Sequence, residues 1–498
     1  MLSDDLQVDL RHHWRSRALP IRHIDTRPSQ MCLEHQHKAW EDHDLLPHGL
    51  QAALSVTTRI ANAASFPDER HESAAQTVQS IELDYLTFSY ASDTLLAELA
   101  VQRRVNRPIG FVTQLIEALK NLCPLIYVQP QLKVLAAAGG FDGQGCVEQA
   151  AELLCHRGCP ALPVARVRGA DVLNQLEEFL LAGCTLDEQE TGEPFRDLTV
   201  QPVYAHAWLG ADAVVSALAQ DARLVITDSL QPSSLTVAAG IHEFDWANDA
   251  WDQLATAAAA GNCFFCDSKT GLGLEFTQDP LGHLATQPGC PIVELEAGGE
   301  LRIAKTAPSD GQLTSTDALQ DIQRPVKSPD VKVDGTRATA KRVPHDENAV
   351  EISGIVGHGP IDDLAVTIGL REGYEATGVI SIDCSEPLSV AMKLAELVDG
   401  RLKQMDGPSV QLTCEPLLSS FRDHNHHIFL IHGWSLQPSA VDRFCREILS
   451  MRHTFTAGLP LLRNIIPHTQ PKIRPWLTSV PKELVEVAVD CRQAEQWV

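Results

Sequence analysis

Polar side chains able to bind or polarise a small molecule recur just after, or within, short apolar runs. Asn62 lies at the end of the run LSVTTRIANA and Arg70 follows it, Asp84 and Thr87 belong to LDYLTFS, and Gly139 and Gly140 follow LKVLAAA. Thr227 closes ARLVIT and is followed by Asp228, Ser229, Ser233 and Ser234; Cys266 and Lys269 share the segment FCDSKTG. Amides and hydroxyls orient a ligand by hydrogen bonds, while Arg70 or Lys269 neutralises a carboxylate or phosphate. Backbone amides near Gly139 and Gly140 are candidates to hold an oxyanion. Cys266 is the candidate nucleophile, its thiol drawn toward thiolate by Lys269, and no residue is assigned as a base. Each has a plainer reading. Asp68 and Glu69 serve as helix caps, as do the Ser and Thr residues after ARLVIT; Gly139-Gly140 makes a strand-to-helix turn, and Cys266 packs as an inert thiol.

Metal-ligand spacing is sparse. CxxC occurs once, at Cys263 and Cys266, and Cys155 and Cys159 form another lone pair. Cys32, His35 and His37 lie in an irregular polar tail. Asp423-His424-Asn425-His426-His427, with His432, falls at an expected strand start, where alternate side chains diverge to opposite faces. No metal and no cofactor is expected. The Rossmann GxGxxG, the Walker loop, GxSxG and HExxH do not occur, so a dinucleotide is not supported.

The elements that must position these residues follow from periodicity. Residues 1–52 are polar, hold seven of the 20 His and show no sustained apolar period, so they read as an extension. Over 53–325 short apolar strands alternate with amphipathic helices, which implies βαβ units and an α/β, doubly wound, largely parallel sheet. In such a sheet ligands sit outside the carboxyl ends of the strands. The charged stretch 322–347, with three Pro, is the boundary candidate. Over 326–498 the strands VEISGI, LAVTIGL, GVISID, SVQLTCE and HIFLIHGW, with two helices among them, predict a smaller α+β domain, a ferredoxin-like sandwich.

Composition narrows the partners. Forty Lys and Arg against 65 Asp and Glu leave a formal charge of -25, which repels phosphate backbones and anionic lipid, so neither nucleic acid nor membrane is expected. No apolar run is long enough to span a bilayer, and the first residues lack the apolar core of a signal peptide. The 13 Cys form no dense framework. A cytoplasmic protein with reduced thiols is expected, and self-association into a homo-oligomer is expected from the habits of multi-domain enzymes.

The order of segments IANAASFPDER, DYLTFSY, LAAAGGFD, HAWLGADAVVSAL, VITDSLQPSSL, IHEFDW, FCDSKTG and PIVELEAGGELRIAK resembles the acyclic terpene utilisation AtuA family. DLAVTIGLREGYEATGVISI and LAELVDGRL look like that family's C-terminal half, and the resemblance covers roughly residues 53 to 490. It implies catabolism of acyclic terpenes of the citronellol and geraniol type, with later steps on branched acyl-CoA thioesters. Departures fall at strand ends. The family's Gly-Arg-Val-Ala-Asp-like stretch is replaced by Asp228, Ser229, Leu230, Gln231 and Pro232, and its Thr-Gly-Asp by Thr87, Phe88 and Ser89. Its Asn-Ala-Gly-Gly becomes Ala137, Ala138, Gly139 and Gly140, and its Glu-Cys-Gly-Ala-Gln becomes Phe265, Cys266, Asp267, Ser268 and Lys269. Two expectations follow: a catabolic enzyme binding a small acyl or acyl-CoA-like substrate at the strand ends, or a divergent, inactive relative acting as a binding or assembly subunit.

Overall fold

The computed structural model describes residues 57–64, 72–104, 110–265, 291–305, 314–323, 326–344, 346–383, 386–405, 407–418, 426–454 and 466–498. The expected extension over 1–52 lies outside them. The first half of the chain forms strands β1 (Thr57–Ala64), β2 (Tyr85–Phe88), β3 (Lys133–Ala137), β4 (Pro163–Arg168), β5 (Pro202–Ala207) and β6 (Leu224–Thr227). All but β5 lie parallel, side by side, in the order β1-β2-β3-β6-β4. The inner strands YLTF and LVIT are buried throughout, as a parallel sheet covered on both faces requires.

Eight helices among the described residues of this half make the crossovers: α1 (Glu72–Ser80), α2 (Asp93–Arg104), α3 (Thr113–Val128), α4 (Gly143–His156), α5 (Leu176–Leu181), α6 (Asp212–Leu218), α7 (Pro232–Phe244) and α8 (Trp251–Phe265). On one face Val78 of α1, Leu119 of α3 and Val147 of α4 share a core with Leu86, Val134 and Ile226. On the other, Val214 of α6, Leu235 of α7 and Ala258 of α8 share a core with Ile60, Tyr85, Leu135 and Val225. Successive strand residues thus feed opposite cores, the period-two alternation of a strand.

Antiparallel strands extend the sheet at both edges. After the hairpin β7 (Pro291–Glu296) and β8 (Leu301–Lys305) come α9 (Ser315–Ile322), β9 (Val326–Lys327), β10 (Lys332–Asp334), β11 (Thr339–Val343), β12 (Asp346–Ser353) and β13 (Val356–His358). β7, β8, β12 and β11 continue outward from β1, whereas β9, β10 and β13 make a small sheet of their own. The remaining elements are β14 (Asp363–Asp383), α10 (Pro387–Gln404), β15 (Gln411–Leu418), β16 (His426–Ser435), α11 (Pro438–Thr454), β17 (Gln470–Pro481) and β18 (Ala488–Gln493). β14 to β17 pair antiparallel in the order β15-β16-β14-β17, with β-α-β-β-α-β connectivity. α10 and α11 cover one face, where Leu394, Val398, Phe444 and Ile448 meet Ile380, Phe429 and Ile431.

The fold is therefore mixed α/β with a large mixed sheet, half parallel rather than largely so. The expected boundary at 325/326 does not divide the sheets. β11, β12 and β18, all beyond it, complete the ten-stranded sheet, and β5, from before it, pairs with β14 through Thr367 and His206. Val56–Val498 forms one compact unit. Among the described residues of the charged, Pro-containing stretch are the short strands β9, β10 and β11, its polarity reflecting exposed positions such as Lys332, Thr339 and Lys341. No described helix is long and apolar enough to cross a membrane.

Candidate functional site

The carboxyl ends of β1, β2, β3, β6 and β4 form one edge of the sheet, where βα turns and helix starts gather. Asn62 pairs with Thr87 across β1 and β2. Both alternate in phase with Ile60 and Tyr85 and so project toward the core shared with α7 and α8. Thr87 Oγ1 and Ser89 Oγ each donate to Asn62 Oδ1, at 2.9 and 3.2 Å. All three residues are buried. Thr227 closes β6 in phase with Val225 on the same side, paired with Ala137 of β3. Its Oγ1 is buried and has no hydrogen-bond partner among the described residues. Three of the expected ligand-binding residues, Asn62, Thr87 and Thr227, thus share one face at one edge.

Gly139 and Gly140 reach the same edge but in a different role. The Gly139 N–H donates to Thr227 O at 2.8 Å and the Gly140 N–H to Asp228 O at 2.9 Å. Pairing between the two loops consumes these amides, so they do not form the expected oxyanion site. Gly140 has φ +52°, and a Cβ there would meet Gly110 O at 2.6 Å, so the turn needs glycine for backbone reasons. Asp84 does not join the group. It precedes β2 at the amino end, where an oxygen accepts the Arg59 N–H at 2.8 Å. Burial pushes its carboxyl up, with Glu243 at the far end of α7 adding to the effect. Arg70, Cys266 and Lys269 lie outside the described residues.

Sequence reasoning missed β5, whose VYAHA alternation was a period-two signal. It carries Tyr204 and His206 to this edge. His206 is fully buried, its Nδ1 2.7 Å from Ser229 Oγ and its ring edge-on to Phe141 with centroids 4.9 Å apart. Burial lowers its pKa to about 4 against the opposing pull of Asp171, so the ring is neutral at physiological pH. If Ser229 donates to Nδ1, Nε2 carries the proton and becomes a donor. Nε2 and the Tyr204 hydroxyl are both buried without a partner among the described residues. Burial, with the Asp93 carboxylate nearby, raises the Tyr204 phenol. Asp93 starts α2 and accepts from Thr367 Oγ1 at 2.6 Å, which in turn accepts from Trp208 Nε1 at 2.9 Å.

Asp228 alternates to the opposite side, toward α4. Its Oδ2 lies 3.8 Å from Arg166 Nη2, and its Oδ1 has no partner among the described residues. Arg166 Nη1 donates to Gln144 Oε1 at 3.0 Å. A Cβ on Gly143 would collide with Asp228 Oδ1, so this glycine is what admits the carboxyl. Burial raises Asp228 to about 7, with Arg166 opposing. The Cys146 thiol beside it is fully buried and pushed up by burial and by Asp228, which makes it an unreactive packing group.

The other polar clusters lie elsewhere. A half-open cavity of about 250 Å³, lined by Asp252, Thr256, Glu300 and Ser353, includes the β7–β8 turn, near where β7 pairs with Thr57 at the start of β1. It is therefore at the amino end of the sheet. Asp252 Oδ1 there already accepts the Gly357 N–H at 2.8 Å. His432 sits between Thr377 Oγ1 at 2.9 Å and Glu415 Oε1 at 3.0 Å, and residues 423–425 lie outside the description. Among the described residues no group of three His, Cys, Asp or Glu side chains could hold a metal ion.

Fold and edge together define an α/β protein that collects amide, hydroxyl and imidazole groups where its parallel strands end. The profile of the acyclic terpene utilisation family protein AtuA matches residues 58–491, and the chain belongs to that family. Membership implies a role in acyclic terpene utilisation. No curated protein matches the chain, and no solved structure does.

Proposed function

We propose that the chain binds a small acyl or acyl-CoA-like ligand of acyclic terpene catabolism at the carboxyl edge of its parallel strands. One observation carries this reading: Thr227 Oγ1, Ser233 Oγ, His206 Nε2 and Tyr204 OH are all buried there without partners among the described residues. An unmade hydrogen bond on a buried polar group costs about 1–3 kcal/mol, and a ligand oxygen accepting from several of these groups would recover it. Apolar neighbours such as Phe141 and Trp208 suit a branched hydrocarbon chain.

Thermal unfolding with isovaleryl-CoA, isovalerate and free CoA tests the reading. A ligand at a hundred times its Kd stabilises by about 2.7 kcal/mol, so a saturable rise in melting temperature is expected with one of the acyl compounds. A flat response to all three overturns it. A second reading, a binding or assembly subunit without chemistry, draws on the mutual satisfaction of Asn62, Thr87 and Ser89 and on the committed amides of Gly139 and Gly140. Recovery of the thioester unchanged after prolonged incubation favours that reading, and its consumption favours an enzyme.

A further inference from the structure

We propose that the amino terminus of α7, with Ser233 and Thr227, is an anion subsite that takes a carboxylate or phosphate group of the ligand. The proposal rests on the reading of the carboxyl edge as a ligand site and adds which part of that edge receives charge. α7 has 13 residues and leaves β6 through the turn 228–231. Its far end carries His242 Nδ1 and Glu243 to the Tyr85 hydroxyl, at 2.8 and 2.6 Å, at the amino end of β2. The helix therefore runs antiparallel to the strands, and its partial positive end faces the carboxyl edge. Gln231 at the N-cap supplies no side-chain cap, and Pro232 has no N–H.

The second observation is independent of the helix. Ser233 is 2% exposed and Thr227 0%, and the hydroxyl of each lacks a partner among the described residues. They flank the turn between β6 and α7, next to Ser229, which engages the neutral His206. Two carboxyls lie near the turn. Asp330, from the segment between β9 and β10, accepts from Ser234 Oγ, from Ser328 Oγ at 3.1 Å and from the Ala211 N–H at 2.7 Å. Asp228, within the turn, faces the opposite side with its Oδ2 3.8 Å from Arg166 Nη2. An anion at the turn would gain the helix end and two hydroxyl donors together. In a chain of net charge -25 such a local set is needed, because the overall field opposes an approaching anion.

Isothermal titration of the full chain with isovalerate, inorganic phosphate and isovaleryl-CoA tests the proposal. Wild type is compared with the double variant Ser233→Ala/Thr227→Val, with Ser233→Asp and with Thr227→Ser. The double variant is expected to bind at least tenfold more weakly while keeping the wild-type circular dichroism spectrum and melting temperature. Ser233→Asp, which places a fixed negative charge at the helix start, is expected to fold and to lose anion binding. Thr227→Ser, which keeps the hydroxyl, is expected to retain wild-type affinity, so the test survives if the double variant does not fold. Isovalerate binding without phosphate binding assigns the subsite to an acyl carboxylate, and the reverse assigns it to a CoA phosphate. Equal affinity of wild type, the double variant and Ser233→Asp overturns the subsite while leaving the ligand site standing. Failure of every probe to bind wild type overturns both.

Discussion

Two buried ionisable side chains at the strand ends pull the pH dependence of stability in opposite directions. Asp228 rises from 3.8 to about 7, so the folded state keeps a proton that the unfolded state has lost, and stability falls as pH rises across that window. His206 drops from 6.5 to about 4, so the folded state lacks a proton that the unfolded state holds, and stability rises with pH over its window. Each slope is at most about 1.4 kcal/mol per pH unit, and from about pH 4 to about pH 6.5 they cancel. Asp228→Asn is expected to leave only the rise and His206→Gln only the fall, read from denaturant midpoints between about pH 4 and about pH 8. Wild-type-like flatness in both variants would refute the burial of these groups. At the same scale, Gly143→Ala forces a Cβ into the Asp228 carboxyl and is expected to destabilise by about 1–3 kcal/mol. Pairing it with Asp228→Ala, which removes the obstacle, should restore part of that loss in a double-mutant cycle.

Among the elements, β17 shows how strands distant in sequence fix the loops around the strand-end layer. Trp476 is fully buried, donates from Nε1 to Leu186 O at 2.8 Å and packs edge-on to Phe195 with centroids 6.0 Å apart. It ties the acidic loop after α5 to the second sheet. Trp476→Ala is expected to cost about 3–5 kcal/mol, and Trp476→Phe less, the difference reporting the lost indole hydrogen bond and the smaller volume. Chemical denaturation monitored by circular dichroism gives both values. β5 has the same linking function, since Ala205 O and the Ala207 N–H hold the segment after β4 while Val366 to Leu370 of β14 pair on its other side. Through that double pairing His206 and Tyr204 reach an edge otherwise built from parallel strands.

Across the whole molecule, exchange of strands makes the two sheets interdependent. A polypeptide of residues 326–498 would carry the β11–β12 hairpin without β8 and β18 without β4, and its β14 would lack β5. Expressed alone, it is expected to be insoluble or molten, as read by near-ultraviolet circular dichroism and size exclusion. β18 also covers the outer edge of β4, where the Trp497 Nε1 donates to Val164 O at 3.1 Å. Deleting residues 488–498 uncovers that edge and is expected to produce oligomers through strand pairing. A monodisperse, stable truncated protein would show that β4 does not need its cover.

Much of the architecture is written in local pattern. The alternation of runs such as KVLAA and LVIT with amphipathic helices dictates parallel strands covered on both faces, because burial on two sides demands uninterrupted apolar residues. The same pattern places Asn62, Thr87 and Thr227 at strand ends, and the segment order alone indicates the AtuA family that the profile match establishes. Other features are carried by no local stretch. PVYAHA and AVDCRQ are short, and their partners lie far away in the chain, so only assembled sheets reveal that they pair with β14 and β4. Which way a polar side chain faces is likewise a matter of register: Asp228 and Thr227 are neighbours in sequence, yet pleating sends them to opposite cores. Asp84 looks equivalent to Thr87 in the same run, but the direction of β2 puts it at the wrong end. Sequence determined the elements because periodicity is local; tertiary structure decided the site, because hydrogen-bond commitment and burial depend on what the rest of the chain brings alongside.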